Sequence, residues 1–304
     1  MTRSIYIAQA NFDVNTLFFE NRNTDFKAPF FFDSLRFSLK CSVSIFQKRL
    51  QMNEILNQFT SVVRKGVDEY HMISDGDAVA VGLSGGKDSL LLLCALRHLQ
   101  QYYPKRFSLR AITVELGFPG MDFAPVAELC RRLDVPYTRI PTDIREIVFD
   151  ARQEANPCSL CAKMRRGALN TAMKELGCNK LALGHHFDDA VETFLMSLLF
   201  EGRVSCFKPV TYMSRMDVWQ IRPMIYAGEK KIASVAAALS LPVVENPCPE
   251  DRGSKRYEIK RLLAELAGDY PDLRSKVFGA MQRYPLEGWA PTPWKRGTDD
   301  GSRN

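Results

Sequence analysis

The sequence has 304 residues, of which 46% are hydrophobic and 25% are charged, enough to bury the core of one or two domains. No apolar run reaches the roughly 18 residues that span a bilayer, and the first residues lack the apolar segment of a signal peptide, which excludes membrane-spanning and secreted classes. We therefore expect a cytoplasmic protein with no membrane partner, and the net charge of +6 is a weak indication of a polyanionic partner. In that reducing compartment the 8 cysteines are predicted to be metal ligands, redox groups or core residues, not disulfides.

The two ends of the chain differ from its middle. Residues 1–51 show no clear helical or strand periodicity, and we expect either a poorly ordered N-terminal extension or a translated leader before a true start at Met52. An amphipathic helix is predicted from Met52 onward. Residues 285–304 are rich in proline and glycine and are predicted to form a flexible tail, which leaves residues 52–284 as the folded domain.

A glycine-rich turn follows the first predicted strand. The apolar segment 78–83 predicts a buried strand, and a leucine-rich helix is predicted from Asp88. Between them, Gly85 and Gly86 let a ligand approach the backbone N–H groups, while the helix N-terminus supplies the positive end of a dipole. Phosphate is the expected ligand, and the alternative is an ordinary turn with a Ser or Asp N-cap.

The residues of this turn are Ser84, Gly85, Gly86, Lys87, Asp88 and Ser89. They do not satisfy the Walker A motif, because the spacing is one residue short and Asp88 replaces the magnesium-binding hydroxyl. They resemble the Ser-Gly-Gly-x-Asp-Ser loop of the PP-loop ATP pyrophosphatase superfamily. That resemblance implies cleavage of ATP between its α and β phosphates and adenylation of a substrate.

Strands and helices then alternate along the chain. Strands are predicted at 110–116, 135–141, 180–185 and 218–224, and helices near 124–133, 159–177, 188–201 and 229–240. This succession predicts an α/β fold with a parallel sheet and helices on both faces. Ligands are expected at the carboxyl ends of the strands, where the glycine-rich turn lies.

A cysteine pair opens the helix predicted near 159–177. Cys158 and Cys161 have a spacing that lets one metal or cluster take both thiolates, and Cys248 is a third candidate because Asn-Pro-Cys occurs at both 156–158 and 246–248. Three thiolates without an evident fourth favour an iron–sulfur cluster with one exposed iron. A zinc site completed by Cys178 or a histidine stays open. Cys178 itself is predicted to pack in the core, as are Cys94 and Cys130.

Acidic residues follow the strand predicted at 180–185, at the same sheet edge as the glycine-rich turn. The run Gly184-His185-His186 leads into Asp188 and Asp189, with Glu192 one turn later. Acids in a first helical turn are commonly surface residues that match the helix dipole. Beside a bound nucleotide, however, a carboxylate can hold magnesium on the phosphates, so these residues are predicted to serve Mg²⁺.

Three motifs in this order resemble the tRNA 2-thiocytidine synthetase (TtcA) family of PP-loop ATP pyrophosphatases, over about residues 52 to 284. They are Ser-Gly-Gly-Lys-Asp-Ser, Cys-Ser-Leu-Cys followed by Arg165-Arg166-Gly167, and Gly-His-His-x-Asp-Asp followed by Glu192-Thr193. The resemblance implies the PP-loop ATPase fold, similar to adenine nucleotide alpha hydrolases. It also implies ATP-dependent thiolation of tRNA, with 2-thiocytidine formed at anticodon-loop position 32.

The same resemblance assigns roles to residues. Residues 84–89 would grip the phosphates, with Lys87 and Asp88 taking part in catalysis, and Asp189 with Asp188 would serve magnesium and the nucleotide. Arg165 would stabilise charge developing on phosphate. Backbone groups of three residues are expected to contact adenine or ribose: Thr113, Val114 and Gly184. A 4Fe-4S cluster would be held by three cysteines and present hydrosulfide on its open iron: Cys158, Cys161 and Cys248.

Partners follow from the same family. A tRNA substrate needs phosphate contacts, and the basic residues near the cysteines are expected either to supply them or to form solvated helix faces. They are Lys163, Arg165, Arg166, Arg252, Lys255, Arg256, Lys260 and Arg261. The resemblance implies a sulfur donor, either a cysteine desulfurase or sulfide, and leaves a homodimer open.

Other functions share part of this pattern. Cys158 and Cys248 could form a persulfide relay without a cluster, and a lysidine synthetase-like ligase would share the loop but not need the cysteines. A thiouridine synthetase would usually add terminal zinc-finger cysteine pairs, which this sequence lacks, and a non-catalytic iron–sulfur RNA sensor would need no pyrophosphate release. The sequence departs from the family after Cys248, where Pro249 and Glu250 follow instead of a second cysteine. That departure leaves the target nucleoside open.

Overall fold

The computed structural model describes residues 50–151, 157–245, 247–248, 255–284 and 286–291. The predicted N-terminal extension up to residue 49, the segment 249–254 and the end of the predicted tail from residue 292 lie outside these ranges. Within them, no helix is both long enough and apolar enough to cross a membrane.

A six-stranded sheet forms the centre, in the order β3-β2-β1-β4-β6-β5. Its strands are β1 (Asp77–Gly82), β2 (Phe107–Glu115), β3 (Tyr137–Pro141), β4 (Lys180–Ala182), β5 (Val210–Met213) and β6 (Val218–Ile221). All neighbouring pairs are parallel except β5 and β6. The chain builds outward from β1 to β3 and then returns to place β4 on the other side of β1. The crevice between the ends of β1 and β4 is therefore the topological switch point at which α/β sheets bind ligands.

Helices cover the sheet. Residues 50–69 form α1, and the others are α2 (Lys87–Leu99), α3 (Ala124–Arg132), α4 (Pro157–Glu175), α5 (Phe187–Glu201), α6 (Glu229–Ala238), α7 (Lys255–Leu266) and α8 (Leu273–Arg283). A π-helical segment, Glu146–Ala151, lies between β3 and α4. Helix α2 is buried on almost every side, since its leucines pack against the sheet on one face and against α6 and the core on the other. This burial explains the unbroken leucine run.

The predicted α/β fold with a parallel sheet is confirmed, and the sheet has in addition one antiparallel strand at its edge. Strand β5 was not predicted, and it pairs antiparallel with β6 so that Val210 lies opposite Ile221. The hairpin turns at Asp217, whose φ of 56° lies in the left-handed region. Because β5 has four residues and exposes Tyr212, its hydrophobic pattern is too short to predict a strand.

The folded core continues past the predicted boundary at residue 284. Trp289 is fully buried, its indole N–H donates to the Phe207 carbonyl at 3.0 Å, and its own carbonyl accepts from the Tyr70 hydroxyl at 3.2 Å. The ring packs edge-on against Phe278 with centroids 5.3 Å apart. Within the tail predicted from residue 285, Trp289 therefore packs in the core, while Glu287, Gly288, Ala290 and Pro291 are exposed.

Replacing Trp289 by alanine should destabilise the domain by about 3–5 kcal/mol, because it removes a fully buried ring and its hydrogen bond. The free energy of unfolding in urea measures this. Tyr284→Ala is the matched control, since Tyr284 is 75% exposed and its loss should cost at most about 0.5 kcal/mol. Equal stability of the two variants would contradict the assignment of Trp289 to the core.

Candidate active site

The glycine-rich turn closes directly onto the start of α2. Gly85 has a φ of 85°, and Gly86 is the N-cap of the helix. The Ser89 hydroxyl donates to the Gly86 carbonyl at 3.0 Å and accepts from the Ser84 N–H at 3.2 Å, while the Ser84 hydroxyl accepts from the Gly86 N–H at 3.3 Å. The two serines thus hold the loop in shape. No side chain caps the N-terminus of α2, so its first N–H groups face the space above the loop.

Gly85 also contacts the segment that carries Cys248. The Val244 N–H donates to the Gly85 carbonyl at 3.0 Å, and a Cβ on Gly85 would lie 2.9 Å from the Cβ of Val244. A side chain is therefore excluded at Gly85 both by the positive φ and by this close approach. Val244 precedes Cys248, the third predicted cysteine ligand, by four positions in the chain. The glycine-rich turn, which we call the phosphate loop, therefore contacts the segment that carries this cysteine.

The loop after β4 lies against the same turn. A Cβ on Gly184 would lie 3.1 Å from the Ser89 N and 3.2 Å from the Asp88 carbonyl carbon, so only glycine fits there without displacement. The structure thus brings Gly184 to the phosphate loop, as expected. The other two residues predicted to contact the nucleotide lie at the end of β2: Thr113 is fully buried and its hydroxyl accepts from Tyr137 at 2.9 Å, and Val114 is also buried. The side chains of Thr113 and Val114 are therefore buried, and contact of their backbone groups with a nucleotide stays a prediction.

Lys87 is surrounded by carboxylates. Its ammonium lies 3.1 Å from Asp88 and 3.8 Å from Glu229 at the start of α6. The same Glu229 oxygen accepts from Lys260 of α7 at 2.7 Å. Burial raises the pKa of Glu229, but the hydrogen bond from Lys260 and the charges of Lys260 and Lys87 outweigh it, so the pKa is lowered overall. Glu229 is therefore a charged partner of the loop that the sequence patterns did not indicate.

The two predicted magnesium carboxylates have different surroundings. Asp188 is buried, accepts from the Glu229 N–H at 2.7 Å and lies 3.1 Å from the guanidinium of Arg274. It therefore caps the N-terminus of α6. Asp189 accepts from the His186 N–H at 3.0 Å and from Arg256 at 2.9 Å. Its bond to Arg256 is partly exposed, so Asp189 is the carboxylate of the two that a ligand at the loop can reach more easily.

Burial shifts the pKa values of two further residues of this region, Glu192 and His185. Burial raises the pKa of Glu192 to about 7, and the charge of Asp189 adds to the effect, while Arg256, Lys260 and Arg274 oppose it. Burial lowers the pKa of His185 to about 3, with arginines including Arg222 and Arg256 lowering it further, so His185 is neutral at physiological pH. Its ring lies 5.0 Å from that of Phe207.

The sequence patterns predicted Arg256 and Lys260 only as members of a basic cluster, and they did not indicate a role at this site for Glu229 or Arg274. All four are brought to the site by α6, α7 and α8. One feature of the sequence could have indicated that two of these residues act together. Arg256 and Lys260 are four residues apart, a spacing that places both side chains on one helix face. For Arg274, which contacts Asp188 from more than 80 residues away, no local pattern exists.

The predicted cysteine ligands lie at the N-terminus of α4 and in the segment after α6. Cys158 and Cys161 are three residues apart on α4, which places them on one helix face. Burial raises the pKa of the Cys161 thiol, the guanidinium of Arg165 opposes this, and the Cys248 thiol raises the pKa further. The electrostatic effect of the Cys248 thiol therefore reaches Cys161 although 87 positions separate the two cysteines in the chain. The charge of Arg165 also contributes to the lowered pKa of His185 after β4.

The chemistry of the donors suits an iron–sulfur cluster, because Cys158 and Cys161 are two thiols one helical turn apart and thiolates are the usual ligands of such clusters. Across the described ranges, no group of three or more His, Cys, Asp or Glu side chains has an arrangement that could hold a metal ion. The three-cysteine ligand set therefore stays a prediction. Cys94, Cys130 and Cys178 are buried, as predicted for core residues.

Comparisons with known proteins agree with these motifs. Residues 52–266 match the PP-loop domain family model. A tRNA-cytidine(32) 2-sulfurtransferase of Syntrophotalea carbinolica is 37% identical over 232 residues, covering 75% of this chain and 90% of that protein. The enzyme of the same name from Pelobacter propionicus is 35% identical over 242 residues, covering 79% and 90%, respectively.

A solved structure extends the similarity to three dimensions. The U34-tRNA thiolase NcsA from Methanococcus maripaludis, determined with its [4Fe-4S] cluster, has a TM-score of 0.64 and 25% sequence identity. The match covers 81% of this chain and 86% of NcsA. Together with the loop geometry and the sequence relatives, it shows that this chain belongs to the PP-loop family and, within it, to the family of tRNA-cytidine(32) 2-sulfurtransferases.

Proposed function

We propose that this protein is an ATP-dependent tRNA sulfurtransferase that replaces the C2 oxygen of cytidine 32 by sulfur. The observation that carries the proposal is the contact between Gly85 and Val244, because it joins the phosphate loop to the segment bearing Cys248. Activation by ATP and delivery of sulfur must occur on the same carbon. A nucleotide loop in contact with the segment that carries Cys248 supports a site in which both steps occur.

The reaction needs two displacements. The cytidine C2 oxygen attacks the α-phosphorus of ATP, and the bond to the β-phosphate breaks with release of pyrophosphate. Sulfur at the level of sulfide then attacks C2, and AMP leaves with the former carbonyl oxygen. Adenylation is required because the unmodified oxygen is a poor leaving group, whereas AMP is a good one.

Residues of the loop are proposed to bind the phosphates during the first displacement, the attack on the α-phosphorus of ATP. The free N–H groups at the start of α2 and the ammonium of Lys87 bind the polyphosphate, and Asp88 orients Lys87 at 3.1 Å. Asp189, reachable at the edge of the loop, is proposed to hold Mg²⁺ on the phosphates. The charge of Arg165 acts on both Cys161 and His185, and its guanidinium is proposed to stabilise the negative charge that develops on phosphate.

Cys158, Cys161 and Cys248 are proposed to hold a 4Fe-4S cluster. When bound, the cluster supplies an open iron on which hydrosulfide can be presented. The chain itself contributes the contact between Val244 and Gly85, which joins the Cys248 segment to the glycine-rich turn, and the guanidinium of Arg165, which partly offsets the rise that burial causes in the pKa of Cys161.

The partner is tRNA, and the reaction is proposed to take place in the cytoplasm. Phosphate contacts are assigned to the exposed basic residues near the cysteines, Lys163 and Arg166 of α4 and Arg261 of α7. A cysteine desulfurase or sulfide is the proposed sulfur source, and a homodimer remains compatible with the fold.

Thiolation of unmodified tRNA transcripts tests the proposal. Anaerobically prepared protein with its cluster, ATP, Mg²⁺ and sulfide should convert cytidine 32 to 2-thiocytidine, detected by mass spectrometry of nucleosides, with one AMP released per sulfur. A transcript with uridine at position 32 is the matched control and should give no product. Thiolation at position 34 instead would show that the target matches that of NcsA, and ATP cleavage independent of tRNA would contradict a sulfurtransferase.

A further inference from the structure

Helix α7 presents two cations to the nucleotide site from one face. Arg256 reaches Asp189 at 2.9 Å, and Lys260, one helical turn later, reaches Glu229 at 2.7 Å. The neighbouring Arg261 points elsewhere and lies 3.4 Å from Glu265 on the exposed surface. Two adjacent basic residues of the cluster after Cys248 thus have separate environments.

Lys260 and Lys87 share one carboxylate oxygen. Glu229 Oε1 lies 2.7 Å from the Lys260 ammonium and 3.8 Å from the Lys87 ammonium, so the two lysines converge beside the phosphate loop. Burial lowers the pKa of Lys260, but the hydrogen bond to Glu229 and the nearby carboxylates Glu192 and Asp188 raise it overall, which keeps Lys260 charged.

We infer that Lys260 is a second phosphate-binding lysine, which together with Lys87 binds the pyrophosphate portion of ATP and is positioned by Glu229. The Lys260 side chain is 47% exposed and that of Lys87 is 33% exposed, so both are accessible to a ligand. Partly exposed ion pairs such as theirs with Glu229 are weak, so the two lysines can exchange a single carboxylate for a polyphosphate with several charged oxygens.

This inference deepens the proposed function and rests on ATP being the ligand of the loop. It removes Lys260 from the residues expected to contact the tRNA backbone and leaves Arg261 among them. The two lysines also stabilise the negative charge that accumulates on the β-phosphate oxygens as pyrophosphate leaves.

Calorimetric titration of the full-length protein with Mg²⁺ and inorganic pyrophosphate, ATP or AMP tests the assignment without tRNA. Lys260→Met should weaken binding of pyrophosphate and of ATP by about 10- to 100-fold, the usual effect of losing a charged hydrogen bond, and leave AMP binding unchanged. Lys260→Arg should restore most of the pyrophosphate affinity. Arg261→Met is the matched control and should bind pyrophosphate within about twofold of the unsubstituted protein.

Pyrophosphate affinity unchanged in Lys260→Met would overturn the inference, particularly if tRNA binding fell instead. Equal loss of AMP and pyrophosphate binding would also overturn it, because it would indicate general damage to the site. Failure of the unsubstituted protein to bind pyrophosphate would remove both the inference and the loop assignment. Selective loss of pyrophosphate binding in a protein that never thiolates tRNA would support the lysine pair and contradict only the proposed function.

Discussion

Replacing Lys87 by alanine is expected to lower tRNA-dependent AMP formation by roughly 10²- to 10³-fold, the usual cost of removing one group that stabilises developing charge. The variant should fold, because the Lys87 side chain is 33% exposed and begins helix α2, where alanine is well tolerated. Glu229 keeps Lys260 as a partner at 2.7 Å, and Asp88, which loses its ion pair with Lys87, has a side chain that is 32% exposed to solvent. Radiolabelled AMP release under single-turnover conditions measures the effect.

Arg131→Ala provides the control for this variant. It removes a cation that also pairs with a carboxylate, Glu128 at 2.7 Å, but on the exposed side of α3. Its activity should equal that of the unsubstituted protein. If Lys87→Ala retains more than half of the AMP formation, the loop does not bind the reacting phosphates through this side chain.

Single substitution of Cys158, Cys161 or Cys248 by alanine should remove most of the bound iron and abolish thiolation, because two thiolates rarely retain a 4Fe-4S centre. Iron and acid-labile sulfide per polypeptide, measured after anaerobic purification, report on the cluster independently of activity. ATP binding should persist, since the loop is held by its own serines and not by the cysteines.

Two other cysteines are controls for the ligand set. Cys178 is buried in the connection between α4 and β4, and Cys206 donates to the carbonyl of Ala190, the residue next to Asp189, at 3.4 Å. Replacing either by alanine should leave the iron content unchanged. Full thiolation by iron-free protein, or iron loss in Cys178→Ala with iron retained in Cys248→Ala, would exclude the three-cysteine cluster. A persulfide relay predicts that Cys161→Ala stays active.

The parts of the site that sequence predicted are those encoded by contiguous residues. The loop at 84–89 follows a buried strand and opens a helix, and both elements are confirmed within one or two residues because periodicity and glycine placement agree there. The placement of Gly184 beside the loop was also predicted, since the ends of adjacent parallel strands share an edge.

The parts that sequence did not predict depend on tertiary contacts. Asp188 was expected to serve magnesium, yet it accepts the Glu229 N–H and pairs with Arg274, and both partners belong to helices whose packing no local pattern specifies. The proline and glycine residues around position 288 indicated a flexible tail. The free energy gained by burying the Trp289 indole outweighs the conformational freedom that this composition favours. The ligand roles of the cysteines remain predictions that iron analysis must test.

The hydrogen bond between Tyr70 and Trp289 has a consequence for the order in which the domain is completed during synthesis. Tyr70 follows α1, the first described helix, and its hydroxyl meets a carbonyl 219 positions later in the chain. Phe59 and Val63 of α1 belong to the same buried cluster as Trp289. This cluster is therefore incomplete until Trp289, near the end of the described chain, has been synthesised and has left the ribosome. Because such long-range closure is slow, we expect the nascent chain to expose apolar surface and to depend on chaperones until residue 289 is available.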